Sequence, residues 1–314
     1  HTDSSAASDV YKRQRSCWQW WNYLHAQRPD GKAILRINLD ETAICLFDGD
    51  AKGTVFASKR RPRGELFQRV SRGQRRTYLT HVALVCDRAD IQPLLPQTIV
   101  GNERTFRARD MATLRAACPT NFRLVRQRSA WNNEVLCAAI VRLIAAALWP
   151  HKHTLQPILF LDTVRVHSTR RVLAACAAAG IWPIFVAAKM TWLLQPLDTH
   201  AFWPFKAHLR RACQAARTRS ASGQLDVGDL LVCVYEATRC VIQGRRWAPS
   251  FDKNGFGSAQ TGTSRRRVLA SLQLDDIPSV SSARPALDDL RWCFPRRAAI
   301  QCDLLWRCFD GVVA

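Results

Sequence analysis

Three aspartates in this chain stand where an apolar run ends or a turn begins. Asp40 lies within AILRINLDETAICLF, Asp162 closes QPILFLD, and Asp198 follows Gln-Pro-Leu in KMTWLLQPLDTHAFWPFK. Strand ends are where sites gather in open α/β sheets. The last stretch is almost wholly apolar and aromatic, so its one carboxylate is expected in buried surroundings. A buried carboxylate is costly unless it is paired or binds a metal. Three carboxylates that converge without lysine partners repel one another unless a divalent cation joins them. Mg²⁺ suits such an all-oxygen set, and two ions roughly 3.5–4 Å apart support phosphodiester chemistry. Each aspartate read alone is more often a turn residue or a helix cap than a ligand.

The composition says what such a site would act on. Lys and Arg number 46 against 25 Asp and Glu, a formal net charge of +21, which calls for a polyanionic partner. Nucleic acid is the expected one, and neither a membrane nor a small-molecule substrate is expected. The 12 cysteines are scattered from Cys17 to Cys308 with no CxxC pair. That spacing excludes a disulfide framework and points to a reducing, intracellular setting. His151 and His153 lack cysteine partners at ligand spacing and read as a solvated loop. The longest apolar segment, VLCAAIVRLIAAALW, is interrupted by Arg142 and reads as too short to span a bilayer.

The elements that must position the acids follow from periodicity. AILRINLDETAICLF, GTVFASK and TYLTHVALVCD read as three strands of an antiparallel meander. Residues 91–128 are looser, with QPLLPQTIVGNE extended. SAWNNEVLCAAIVRLIAAALW then turns to helical spacing, with Ser129 or Asn132 as the cap and Pro150 as the stop. QPILFLD and IWPIFVAAK are further strands, TRRVLAACAAAG is a helix closed by Gly180, and FKAHLRRACQAARTR and VGDLLVCVYEATRCVIQG are amphipathic helices. The order predicts an α/β fold with a mixed sheet flanked by helices. Trp192, Leu193 and Leu194 are expected to lead out of a core strand. Phe202 and Phe205 are expected to anchor the following helix, which starts or kinks near Pro204 and leaves Asp198 on the turn before it.

Taken together, INLDET, ILFLDTVRVH and TWLLQPLDTHAFWPFK resemble the three catalytic blocks of DDE-superfamily endonucleases, the pogo- and mariner-like transposases. Asp40, Asp162 and Asp198 match the three acids of that pattern, and His167, Gln195 and Pro196 match its other positions. Residues 163–197 separate the second acid from the third, a spacing within what the family shows. RRTYLTHVALVC and RRWAPSFDKNGF are also similar to family segments, so the resemblance covers about residues 33–256.

The resemblance implies an RNase H-like core: a three-stranded antiparallel meander plus two further strands. It implies two Mg²⁺ or Mn²⁺ ions held by Asp40, Asp162 and Asp198, nicking of DNA at transposon ends, and transfer of the freed 3′-hydroxyl to target DNA. His167 becomes a group near the metals or a substrate contact, and Lys206 a phosphate contact. Gln195 belongs to the same motif. Glu41 points to the opposite strand face from Asp40 and reads as structural or as support for the ligands. A homodimer is the assembly considered, and a nuclear location follows from the activity.

Further expectations attach to the charge runs. Lys59, Arg60, Arg61 and Arg63 of KRRPR, and Arg75 and Arg76 of RGQRR, are candidate phosphate contacts, as is the SRRR run at 264–267. KRRPR reads equally as a nuclear-import signal or a solvated loop. Trp131 and Trp192 would stack on bases or lie in the core. Residues 1–32 form a leader whose opening HTDSSAASDVYKRQ is similar to translated cloning sequence and is set aside from the fold. Residues 33–257 form the catalytic domain, and residues 258–314 a poorly ordered or partly helical tail. The family's N-terminal helix-turn-helix domain has too few residues here, so a fragment or decayed copy is expected. The alternative function is a non-catalytic DNA-binding protein derived from a transposase. A nuclease acting on RNA through the same fold is a third reading.

Overall fold

The structure, a computed structural model, describes residues 2–45, 78–220 and 225–257, and within the C-terminal segment residues 266, 270, 280–286, 288, 293, 294 and 305. In chain order the elements are α1 (Thr2–Ala26), β1 (Ala33–Cys45), β2 (Tyr78–Cys86), β3 (Gln97–Asn102), α2 (Met111–Ala116), β4 (Phe122–Gln127) and α3 (Glu134–Leu148). There follow β5 (Leu155–Asp162), α4 (Arg170–Ala178), β6 (Trp182–Val186), α5 (Thr191–Leu194), α6 (Phe202–Arg219), α7 (Val227–Ala237) and α8 (Ala248–Lys253).

Strands rich in Ile, Leu, Val and Phe on both faces have to lie in the middle of a covered sheet. β1 and β5 do so in a six-stranded sheet of order β4-β3-β2-β1-β5-β6. β1 pairs antiparallel with β2, and β2 with β3, which makes the meander; β5 and β6 run parallel to β1 and to each other. The fold is thus the expected mixed sheet flanked by helices, with the strand order of an RNase H-like core. Its meander has different members, however. GTVFASK lies outside the described residues, β2 pairs directly with β1, and the third strand comes from QTIVGN within the segment read as loose. β4 adds an unanticipated parallel edge strand beside β3.

The β2 ladder outruns β3, and side chains complete it. Gln97 Nε2 and Gln92 Nε2 both donate to Leu84 O, at 2.9 and 3.0 Å, and Cys86 N donates to Gln92 Oε1 at 2.5 Å. Buried backbone groups need such partners wherever a neighbouring strand stops. Arg36 fastens the same end of β2 from the β1 side. Its guanidinium meets Asp87 at 2.6 Å and Asp252 at 2.7 Å, joining β1 to the turn after β2 and to α8.

The helices cap as local chemistry dictates. Asn133, one residue past the expected cap, accepts the Leu136 N–H at 2.9 Å to start α3. Gly180 closes the α4 turn at φ 63°, a conformation that suits glycine. Glu134–His151 has a mean hydropathy of 1.5, long and apolar enough by composition to cross a membrane, so the expectation of too short a segment was wrong on length. Arg142 interrupts it, and Leu136, Ile140, Val141, Ile144 and Leu148 are buried within the core.

Residues 1–32 do not stand apart from the fold. Trp18, Trp20, Trp21 and Leu24 of α1 are buried. Trp21 meets Phe160 and Phe256 with centroids 5.8 and 6.0 Å apart, and Trp20 meets Phe185 at 6.2 Å. Aromatic pairs in this range add to the hydrophobic gain of burial. Gly255 makes room for the helix: at φ 88° it lies so close to Trp18 that an added Cβ would come within 2.6 Å of the indole nitrogen. Val280, Cys293, Phe294 and Leu305 of the tail also join the core. Asn22 Nδ2 donates to Val280 O at 2.9 Å, Ala188 N donates to Cys293 O at 3.2 Å, and Phe294 lies 5.1 Å from Phe185.

Candidate active site at the carboxyl ends of β1 and β5

Parallel pairing of β1 with β5 runs from Ala33 opposite Leu155 to Asn38 opposite Phe160. Extended by two positions, that register sets Asp40 beside Asp162. Asn38 supplies the third link. On the strand face it shares with Asp40, its Oδ1 accepts Leu197 N–H at 2.9 Å, while its Nδ2 donates to Phe160 O and Leu39 O at 3.2 Å. One buried amide therefore ties together backbone groups within two residues of all three aspartates. Asn38 was not among the expected site residues. Its signal was a polar residue between Ile37 and Leu39, two places before Asp40.

The stretch holding Asp198 is helical rather than strand-like. α5 replaces the expected exit of a core strand, and a π-helical turn (Leu197–Ala201) runs directly into α6. Pro204 has no N–H to give to the carbonyl four residues back, and the wide turn lies immediately before it. Thr199 closes that turn through N and Oγ1, which donate to Gln195 O at 3.0 and 2.8 Å. Phe202 and Phe205 are buried anchors as expected.

Burial is distributed differently from expectation. Asp198 is exposed, since the apolar flanks turn inward and leave its side chain outward. Asp40 is the buried acid, at 8% exposure. Its pKa is pushed well above the ordinary carboxylate value, first by burial and then by the charges of Asp198, Glu41 and Asp162; the Glu41 N–H, 2.8 Å from its Oδ1, partly opposes this. The other three carboxylates thus lie within electrostatic reach of Asp40. Among the described residues, no lysine or arginine forms an ion pair with Asp40, Asp162 or Asp198.

Glu41 reaches the site although it alternates with Asp40 along the strand. His167, 1% exposed, bridges the two sides: its Nδ1 lies 2.5 Å from Asp162 Oδ1 and its Nε2 3.1 Å from Glu41 Oε1. Burial alone would lower the imidazole pKa, but hydrogen bonds to the two carboxylates outweigh it and hold the ring protonated well above its ordinary range. Asn132, just ahead of α3, donates to Glu41 Oε1 at 2.6 Å and was another unanticipated member. Val164 N completes the set by donating to Asp162 Oδ1 at 3.2 Å.

The remaining expected residues fall in three groups. Gln195 is fully buried, and among the described residues neither atom of its side-chain amide has a hydrogen-bond partner. Lys206 is exposed on α6. Lys59, Arg60, Arg61, Arg63, Arg75 and Arg76 lie outside the described residues. Trp131 and Trp192 are surface residues, at 65% and 57% exposure, so the core reading of both is corrected; Trp192 Nε1 donates to Lys189 O at 2.9 Å.

The donor chemistry suits a hard divalent cation: oxygen ligands, mutual repulsion and, among the described residues, no lysine or arginine paired with the three aspartates. Among the described residues, however, no three His, Cys, Asp or Glu side chains are grouped so as to hold a metal ion. Asp162 and Glu41 are both engaged with His167, and this limits how their oxygens are presented.

No protein-family model matches the chain, and no curated protein matches it. Among solved structures it is similar to a Mos1 transposase paired-end complex with left transposon end, at 12% identity and a TM-score of 0.38. That match covers 80% of this chain and 64% of the other, so the chain spans less than two thirds of that protein's length.

Proposed function

We propose that this chain is the core of a metal-dependent DNA endonuclease of the transposase type. The observation that carries the reading is Asp40, buried in a strand and surrounded by the charges of Asp198, Glu41 and Asp162, on a chain of net charge +21. The resemblance of the three sequence blocks supports it.

In this reading Asp40, Asp162 and Asp198 would hold Mg²⁺ or Mn²⁺. A pair of such ions, when bound, supplies charge neutralisation at the scissile phosphate and lowers the pKa of water. The protein's own groups do the positioning. Asn38 keeps the three acid-bearing segments together, and His167 holds Asp162 and Glu41 at fixed separation. Water adds across a P–O3′ bond, leaving a 5′-phosphate and a free 3′-hydroxyl. That hydroxyl then attacks a target phosphodiester, so one P–O bond forms as another breaks. DNA is the proposed partner, and a nuclear location rests on the same reading.

Nicking of supercoiled plasmid in Mn²⁺ tests this. The parent chain is expected to nick, and Asp198→Asn to lose nearly all of that activity. Equal nicking by both, or none by the parent with either metal, would overturn the proposal. The second reading, a DNA-binding protein without turnover, draws on the absence of a grouped three-ligand set among the described residues. Salt-dependent DNA binding without metal-dependent cleavage selects it.

A further inference from the structure

The candidate active site opens onto a second feature that the three acids do not explain. α3 begins beside Glu41, through Asn132, and α4 begins three residues after His167. Both helices therefore start at the acidic end of the sheet and run away from it side by side. Between them lies a groove of about 540 Å³ lined by Glu134, Arg142, Arg170, Arg171 and the small side chains of Ala174 and Ala178.

The helical spacing explains the lining. Glu134 and Arg142 are two i,i+4 steps apart on α3, while Arg170, Ala174 and Ala178 are successive i,i+4 positions on α4. The three arginines are exposed, so their charge is there for a solvent-borne partner. Glu134 is the one acid among these lining residues. It lies 4.0 Å from Arg171 with both side chains about half exposed, and such a surface pair is worth little. The alanines leave the floor low enough for a bulky chain to approach. From Glu134 to Arg142 the α3 axis advances about 12 Å, roughly the axial reach of three to four phosphates of one strand.

We infer that the α3–α4 groove binds the sugar–phosphate backbone of the nucleic acid handled at the carboxylates, with Arg142, Arg170 and Arg171 as its phosphate contacts. The inference rests on the proposed endonuclease reading and adds the direction in which the strand leaves the site. Guanidinium forks match phosphate oxygens in pairs, and contacts of this kind position a strand without reading its bases. Acids at the reacting phosphate and arginines along the departing backbone divide the work between the two charge signs.

Anisotropy of a fluorescently labelled DNA duplex, titrated in EDTA over a range of KCl concentrations, tests the groove apart from catalysis. Replacing Arg142, Arg170 and Arg171 together with Gln is expected to weaken binding about tenfold or more and to reduce the slope of log K against log salt by about 2 to 3. A charge-matched control replaces Arg28, Arg115 and Lys152, exposed residues preceding the starts of β1, β4 and β5 at the other end of the sheet. It should change the slope by less than half as much. Lys at all three groove positions should restore most of the slope, and thermal unfolding should show all variants folded. An unchanged slope in the Gln variant, an equal loss in the control, or no DNA binding by the parent overturns the inference. Nicking assays run in parallel separate the two proposals. A parent that binds through the groove but never nicks removes the endonuclease reading alone, whereas nicking and binding that ignore the groove arginines remove the groove alone.

Discussion

The side-chain oxygen of Asn38 accepts the backbone N–H of Leu197 at 2.9 Å, and this bond fixes the segment carrying Asp198 to the strand carrying Asp40. The same amide holds Phe160 O, two residues before Asp162. Asn38→Ala would leave the Leu197 N–H and the Phe160 carbonyl buried without these partners. A loss of about 2–4 kcal/mol is expected, since each such orphan costs about 1–3 kcal/mol. Urea unfolding measures it. A loss below about 0.5 kcal/mol would show that Asn38 does not join the blocks. Nicking should fall further than the stability loss accounts for, because Asp198 is released from its register.

Asp40 is a group whose charge opposes folding. Its folded pKa lies above the ordinary carboxylate value, so the native state binds the proton more tightly than the unfolded chain does. Stability therefore declines as pH rises above that ordinary value. Asp40→Asn retains an oxygen for the Glu41 N–H and removes the repulsion. In EDTA at neutral pH its Tm is expected to exceed that of the parent, while nicking disappears. Adding Mn²⁺ should raise the parent's Tm more than the variant's. A lower Tm for Asp40→Asn in EDTA would contradict the crowding of charges described here.

His167 contributes with the opposite dependence on its own proton. Its folded pKa is raised by Asp162 and Glu41 against the effect of burial, so its stabilisation is complete below about pH 6.5, the unperturbed imidazole value, and is lost as pH rises through the folded pKa. His167→Gln keeps hydrogen-bonding capacity but no charge. The stability gap between parent and variant, from urea unfolding at a series of pH values, should be widest at acid to neutral pH and narrow on the alkaline side. A gap independent of pH would mean that the ring is held neutral.

His81 works the other way, on the acid side. It is wholly buried against Phe205 and bonded to Gln97, and burial pushes its pKa down to about 4. Between about pH 6.5 and 4 the unfolded chain takes up the proton first, so stability falls with pH across that window. The full loss is about 3 kcal/mol. His81→Leu should flatten the curve there whatever its stability at neutral pH. An unchanged slope would assign the acid sensitivity to other groups.

The packing of α1 into the core gives a test that involves none of these acids. Trp21→Ala removes a fully packed indole from between Phe160 and Phe256 and should cost about 3–5 kcal/mol. Gly255→Ala should also destabilise, by at least about 1 kcal/mol, because the new methyl meets Trp18 and the backbone is in the left-handed region. If both variants unfold like the parent, α1 is not part of the cooperative unit.

Local pattern was enough for much of this architecture. Continuous apolar runs mark β5 and β6, helical spacing marks α3, α4, α6 and α7, and alternation around Asp40 marks β1. From these the mixed α/β class follows. β3 and β4 were hidden for different reasons. QTIVGN is short and sits among prolines and polar turns, and FRLVRQ carries two exposed arginines, Arg123 and Arg126, on opposite faces of an edge strand. The opening HTDSSAASDVYKRQ reads as similar to cloning sequence, yet from Thr2 onward it belongs to α1, the helix that Trp18, Trp20 and Trp21 bury.

The sequence by itself determined which residues could do chemistry: three aspartates, each beside its own apolar run, and a histidine five places after the second. Tertiary structure alone decided how they meet. Parallel register places Asp40 beside Asp162, and a buried amide at Asn38 draws in Leu197. A histidine then crosses from one strand to the next to join Asp162 to Glu41, and Asp40 rather than Asp198 becomes the buried charge. Those relations depend on contacts between segments more than a hundred residues apart. Spacing along the chain records what a segment can bury, but only the assembled sheet sets which carboxylate is removed from water.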